Sequence, residues 1–194
     1  MGVTEHALGL RDRKKIKTRD AIRREAMRLI QANGYANTTI EQIAEAAEVS
    51  PSTFFRYFPT KEMALITNDL DQMTVDALSQ QHPDMPSLQA FRRALETTMA
   101  TLSKDEWEFE RDRQMLVLTI PELLAAQFDE YRRTVKLLAE ADCRRLGRDP
   151  DDTEVRIFYG ALAGGLMAVL ESPNNVAKRM YQALDFIEAV MPLK

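Results

Sequence analysis

The sequence predicts an all-α fold: an N-terminal three-helix helix-turn-helix module continuous with a larger helical domain, about nine helices in all. Three observations predict it. Apolar residues recur at helical spacing along most of the chain, while strand-like alternation is scarce. The periodic segments are separated by Pro, Gly or capping residues, which is how helices start and stop. The stretch from Thr38 to Phe58, TTIEQIAEAAEVSPSTFFRYF, holds two short helices joined by a three-residue turn.

The elements follow in chain order. Residues 1–10 are short, terminal and aperiodic, and read as a disordered arm. The basic run Arg11, Arg13, Lys14, Lys15, Lys17 and Arg19 reads as an arm along a nucleic-acid backbone or minor groove, or else as a solvated helix start. A first helix runs to about Ala32 through Ile22, Ala26, Leu29 and Ile30, and Asn33-Gly34 ends it. Tyr35 is expected to pack beneath the three-helix module.

Ile40, Ile43, Ala44 and Ala47 make Thr39–Ala47 a short amphipathic helix, with Thr39 as N-cap and Gln42 completing a capping box. Glu48, Val49 and Ser50 form the turn. Ser50 caps the second helix and Pro51 takes its first position, where a missing N–H costs nothing. That helix, Pro51 to Phe58, turns Phe54 and Phe58 to one side and Ser52, Thr53, Arg56 and Tyr57 to the others. The second helix of such a pair can enter the DNA major groove, although bundles that bind nothing also contain such pairs.

Pro59 ends this helix and Thr60 caps the next, which is expected to run unbroken to about Gln80 and so belong to both modules. His82 to Pro86 is a loop. Helices are then expected over about 87–103, 104–118, 121–146, 152–171 and 174–191. The run from Phe158 to Leu170 is apolar nearly all round and holds three glycines, each costing roughly 1 kcal/mol against alanine inside a helix. Close approach of another helix would justify them, in a dimer interface or in a monomer core.

Composition narrows the function. A hydrophobic fraction of 45% and a charged fraction of 29% are ordinary for a globular protein. One cysteine, Cys143, allows no intrachain disulfide framework and fits a reducing cytoplasm. No targeting segment is visible, and the longest apolar run falls short of the ~18 to 20 residues that span a bilayer. The net charge of −4 is unevenly divided: residues 1–62 carry eleven Lys and Arg against eight Asp and Glu, and the acidic excess lies beyond them. A basic end on an acidic body suits a protein that touches phosphate with one module. Two histidines, His6 and His82, offer no nucleophile–base pair, and there is no glycine-rich phosphate loop, so no enzyme and no cofactor are expected. The acidic clusters at 105–110 and 149–154 lack calcium-loop spacing, and no metal is expected.

Thr38-Thr39-x3-Ile43-Ala44-x2-Ala47-x-Val49-Ser50, followed by Thr53-Phe54-Phe55-x-Tyr57-Phe58-x2-Lys61-Glu62, resembles the signature of the tetracycline-repressor (TetR) family, and the match extends back through Ile22, Ala26, Leu29, Gly34 and Tyr35. The chain departs from that pattern at Glu48, where the family usually has Gly, and at Phe55, where it usually has a phosphate-binding Tyr. The resemblance implies a homodimeric, ligand-responsive DNA-binding regulator, most simply a repressor. The alternative is a small-molecule or acyl-handling protein with a vestigial helix-turn-helix.

It implies a DNA-binding domain over 11–59 and a ligand-binding and dimerisation domain over 60–194. Thr38, Ser50, Tyr57 and Lys61 would hold phosphates, while Ser52 and Thr53, beside Pro51, and Arg56 would read bases of operator DNA. Gly160, Ala161, Gly164 and Ala168, with Phe186, Ile187 and Val190, would form the dimer interface. Arg111-x-Arg113-x2-Leu116, Pro121-Glu122-Leu123-x-Ala125 and Leu146 to Asp152 more loosely resemble the subgroup with acyl-CoA-like ligand domains. An apolar or acyl-CoA-like effector would then contact Met99, Leu102, Trp107, Arg111, Met115, Leu118, Phe128 and Tyr131, with Arg92, Arg93, Arg111 and Arg113 as candidates for an anionic end.

Overall fold

A computed structural model describes residues 9–67, 69–170 and 176–191. Among these, ten α-helices and no strand are present. They are α1 Leu10–Asn33, α2 Ile40–Ala46, α3 Pro51–Tyr57, α4 Met63–Ile66, α5 Leu70–Ser79, α6 Ser87–Met99, α7 Lys104–Thr119, α8 Pro121–Leu146, α9 Thr153–Leu170 and α10 Val176–Val190. No described helix is long and apolar enough to cross a membrane.

Two expectations at the N-terminal end are corrected. The basic run from Arg11 to Arg19 is not an extended arm but the first turns of α1, which begins at Leu10. The sequence between Leu10 and Asn33 contains no Gly or Pro to interrupt it. Of the arm expected over residues 1–10, residues 1–8 lie outside the described residues. The single helix expected to run to Gln80 is two, α4 and α5, which makes the helix count ten rather than nine. Thr67 is extended, at φ −71° and ψ 126°, and the carbonyl of Leu65 accepts a hydrogen bond from the Arg113 guanidinium. A side chain thus satisfies an end carbonyl of α4, as a helix terminus requires.

The chain divides into two compact units. The first comprises the segment up to Thr67 together with Asp112–Gln127. In it α1 packs on α2 and α4, and α2 packs on α3. Ile22, Ala26, Ile43, Ala44, Phe54, Phe58 and Leu65 are buried. Burying each large apolar side chain contributes roughly 1.5 to 3 kcal/mol, so Phe54 and Phe58 fix which face of α3 looks inward. Their rings lie 6.0 Å apart.

The local chemistry of α2 and α3 is well determined. The Gln42 N–H donates to Thr39 Oγ1 at 3.2 Å while the Thr39 N–H donates to Gln42 Oε1 at 2.8 Å, a complete capping box. At the other end of α2 the Val49 N–H reaches back to the carbonyl of Ala44 at 2.9 Å, and the Glu48 N–H to Glu45 at 3.0 Å. This is a Schellman closure, and it places Glu48 at φ 54°. The same closure ends α8, where the Arg148 N–H donates to the Cys143 carbonyl at 2.9 Å and the left-handed position, φ 66°, is Gly147. The sequence thus supplies glycine at one of two equivalent turns and glutamate at the other.

The second unit comprises the segment on to Arg111 and the chain from Phe128 onward. Here α5 packs on α6, α9 on α10, and α6 on α10, around Leu78, Phe91, Ala94, Leu138, Tyr159, Leu162 and Leu184. Arg145, buried on α8, pairs with buried Asp142 at 2.7 Å. It also donates to the carbonyls of His82, at 2.6 Å, and Met85, at 2.8 Å. One guanidinium therefore holds the α5–α6 loop against α8. Removing one partner of such a buried pair typically costs 3 to 5 kcal/mol.

Candidate nucleic-acid interface

The outward side of α3 is assembled by its inward side. With Phe54 and Phe58 buried, Pro51, Ser52, Phe55 and Arg56 are exposed, and Thr53 and Tyr57 are half-buried. The Ser50 hydroxyl accepts the Thr53 N–H at 3.1 Å, the cap expected from sequence, and lies 2.9 Å from the Ser52 hydroxyl and 3.0 Å from that of Thr53. Three hydroxyls therefore cluster at the start of α3. Arg56, in its last turn, lies 5.5 Å from the Tyr57 ring centroid.

Two residues expected beside this face are placed differently. Thr38 is 1% exposed, its hydroxyl donating to the Gly34 carbonyl at 2.9 Å and its N–H to that of Tyr35 at 3.3 Å. Both of its donors are committed to the turn between α1 and α2. The Lys61 ammonium donates to the carbonyl of Tyr35 at 2.7 Å and to that of Thr38 at 2.8 Å, and sits 3.8 Å from the Tyr35 ring centroid. Two of its three N–H bonds thus close the same turn. Burial pulls its pKa below the ordinary lysine value, and the nearby Glu122 carboxylate partly opposes this. The Tyr35 hydroxyl donates to Glu62, so Tyr35 is held from both ends rather than merely packed under the module.

The expected effector residues are divided between the two units. Met115 and Leu118 belong to the first unit and Met99, Leu102, Trp107, Arg111, Phe128 and Tyr131 to the second. Arg111 lies over the Trp107 ring at 6.0 Å, and Phe128 stacks on Tyr131 at 6.0 Å. Phe128 is 57% exposed. Of the arginines considered for an anionic end, Arg92 pairs with Asp185 at 2.7 Å and Arg113 is the buried support of Leu65. Arg93 is exposed.

The glycine-rich helix α9 has two kinds of neighbour. A Cβ at Gly165 would stand 3.2 Å from Ile187 Cδ1, and one at Gly164 would stand 3.6 Å from the Tyr131 hydroxyl, which itself donates to the Gly160 carbonyl. These glycines admit α10 and Tyr131 of the same chain. A Cβ at Gly160 would meet nothing within 4 Å. Ile187 is buried in its own core, whereas Phe186 and Val190 are exposed, as are Ala161 and Ala168. A groove of about 500 Å³ lies between the two helices, lined by Gly165, Val169, Arg179, Gln182, Ala183, Phe186 and Ile187.

Sequence reasoning missed Arg145 and the burial of Arg113, which it names only as a candidate for an anionic end, because an arginine on a helix reads as a solvated face. The available signal was weak: Arg145 and Asp142 are three apart, a pairing distance on a helix. It also left unassigned the outward ring of Phe55, which is 51% exposed.

Residues 22–65 match the profile of bacterial regulatory proteins of the tetR family, and residues 85–192 match the profile named for the MftR C-terminal domain. The chain is 36% identical over 156 residues to the HTH-type transcriptional regulator TcmR of Streptomyces glaucescens, covering 77% of this chain and 69% of that protein. Its fold is similar to that of SmeT, the repressor of the Stenotrophomonas maltophilia multidrug efflux pump SmeDEF. There the TM-score is 0.58 and the identity 20%, with 92% of this chain and 93% of that one covered. It is also similar to Thermus thermophilus FadR, solved with lauroyl-CoA. That match has a TM-score of 0.53 and 22% identity, over 91% and 96% of the two chains. At these identities the structures speak to the fold alone. The two profiles and the TcmR match do not favour the alternative of an acyl-handling protein with a vestigial helix-turn-helix. The chain belongs to the TetR family, and is a ligand-responsive, DNA-binding transcriptional regulator of the repressor type.

Proposed function

We propose that a homodimer of this chain sets one α3 helix into the major groove at each of two half-sites about one helical turn apart, roughly 34 to 36 Å, or a multiple of that. The observation that carries this reading is the outward row on α3. Ser52 and Arg56 are exposed with Thr53 beside them, on a helix whose opposite side is buried by Phe54 and Phe58. Ser52, Thr53 and Arg56 read bases, and Pro51 allows close approach. Ser50 and Tyr57 hold phosphates. Lys61 keeps one N–H for a phosphate while closing the turn, and Thr38 acts through that turn's shape. The DNA-binding domain is residues 11–59, and residues 60–194 bind effector and dimerise in the cytoplasm.

Dimerisation uses α9 and α10 through Gly160, Ala161, Gly164, Ala168, Phe186 and Val190, with Ile187 supporting them from its own core. The effector is a small apolar or acyl-CoA-like molecule contacting Met99, Leu102, Trp107, Arg111, Phe128 and Tyr131 of the larger unit. The loose acyl-CoA-subgroup resemblance of residues 111–125 and 146–152 supports that class. Effector binding lowers operator affinity by its preference between two dimer shapes, commonly ~1 to 3 kcal/mol.

The test is a binding titration on a duplex selected from a random pool by the purified protein. Arg56→Ala is expected to relax base preference at one position per half-site at a cost of about 1 to 3 kcal/mol. No retardation of any duplex at low salt would defeat the reading. Native mass spectrometry of the purified protein, before and after adding lauroyl-CoA, tests the effector class.

A further inference from the structure

The outward side of α3 carries two rows, not one. Ser52 and Arg56, four residues apart, form a polar row, and Pro51 and Phe55, also four apart, form an apolar row beside it. Phe55 is 51% exposed. Its ring packs against a buried neighbour: Phe54, fully buried, meets it edge to face with centroids 5.8 Å apart and planes at 85°. With Phe54 and Phe58 both anchored, α3 cannot roll to hide the ring. A phenyl group has no hydrogen-bonding atom, so it cannot grip a phosphate. What it can do is exclude water from an apolar surface, and the apolar feature of base edges in the major groove is the thymine C5-methyl group.

We infer that Phe55, flanked by Pro51, is a specificity-determining residue that reads a thymine methyl next to the base contacted from the Ser52–Arg56 row. This rests on the proposed placement of α3 in the major groove. Unlike a phosphate contact, it makes affinity depend on one methyl group per half-site.

The experiment uses the full-length protein and a duplex selected from a random pool, with each thymidine then replaced by deoxyuridine, which removes only the methyl. Selected duplexes are expected to hold thymine at one fixed position in each half-site. Burial of one methyl corresponds to about a fourfold change in affinity, so deoxyuridine at that position in both half-sites should weaken wild-type binding about fifteenfold. Phe55→Ala should bind more weakly and be indifferent to that replacement, and Phe55→Leu should retain part of the sensitivity. A deoxyuridine scan that changes wild-type affinity less than twofold everywhere overturns the inference. So does a Phe55→Ala variant as sensitive as wild type, which would place the ring against sugar or against its own chain. Failure to select any duplex is a different result: it defeats the groove placement itself and this inference with it.

Discussion

Glu48→Gly should stabilise the helix-turn-helix. Glu48 holds φ 54° in the closure that ends α2, where the equivalent position after α8 is a glycine at 66°. The left-handed region costs an L-residue roughly 1 to 2 kcal/mol, because Cβ crowds the following carbonyl. Glycine carries no such penalty but loses more backbone freedom on folding, roughly 0.5 to 1 kcal/mol. The difference is a gain of about 0.5 to 1 kcal/mol, since Glu48 is exposed and the closure bonds of Val49 and Glu48 are made by the backbone. In native-state hydrogen exchange read by mass spectrometry, that gain slows the amides of α2 and α3 about two- to fivefold. Glu48→Asn should fall between the two, and Glu48→Val should exchange faster than wild type. Glu48→Gln removes the charge and leaves the backbone as it is. If Glu48→Gln slows exchange as much as Glu48→Gly, the effect is electrostatic and the strain argument fails; it fails equally if Glu48→Gly exchanges faster than wild type.

Three further outcomes are expected. Lys61→Met leaves the Tyr35 and Thr38 carbonyls without their ammonium donor. The turn should loosen by about 2 kcal/mol, below the ~3 kcal/mol low end for two bonds to a charged group because water partly replaces the ammonium, seen as roughly thirtyfold faster exchange near residues 34–39. Unchanged exchange with a salt slope lowered by about one phosphate contact would make Lys61 a DNA ligand alone. Phe186→Glu places a charge on a side chain that is 68% exposed and should split the dimer in sedimentation while leaving the helical signal unchanged; an intact dimer would remove Phe186 from the interface. Cys143 is fully buried, and burial, then the charge of Asp152, raises its thiol pKa. The folded chain therefore keeps that proton to higher pH than the unfolded chain, so stability should fall as pH rises through the ordinary thiol range. Cys143→Ala should flatten that fall, and native wild-type protein should resist alkylation at pH 8 until urea is added.

The helix-turn-helix was legible because its determinants are local. Thr39 with Gln42, Ser50 with Pro51, and the spacing of Ile43, Ala44, Phe54 and Phe58 each act within a few residues. The helix boundaries set by Pro121, Gly147 and Pro86 were legible for the same reason. Pattern cannot say what a polar side chain finds when distant segments meet. Arg113 reaching Leu65, Arg145 gathering three loop carbonyls and Lys61 closing the α1–α2 turn join residues 23 to 63 positions apart.

By itself, then, the sequence determined the all-helical class, the two-helix reading unit and the basic end that carries it, since all three follow from periodicity, caps and charge. Tertiary structure alone decided that the helix after Thr60 breaks at Thr67, that Thr38 and Ile187 point into their own chain, and that Phe55 points out. Burial is a property of what a chain folds against, and no window of neighbouring residues contains it.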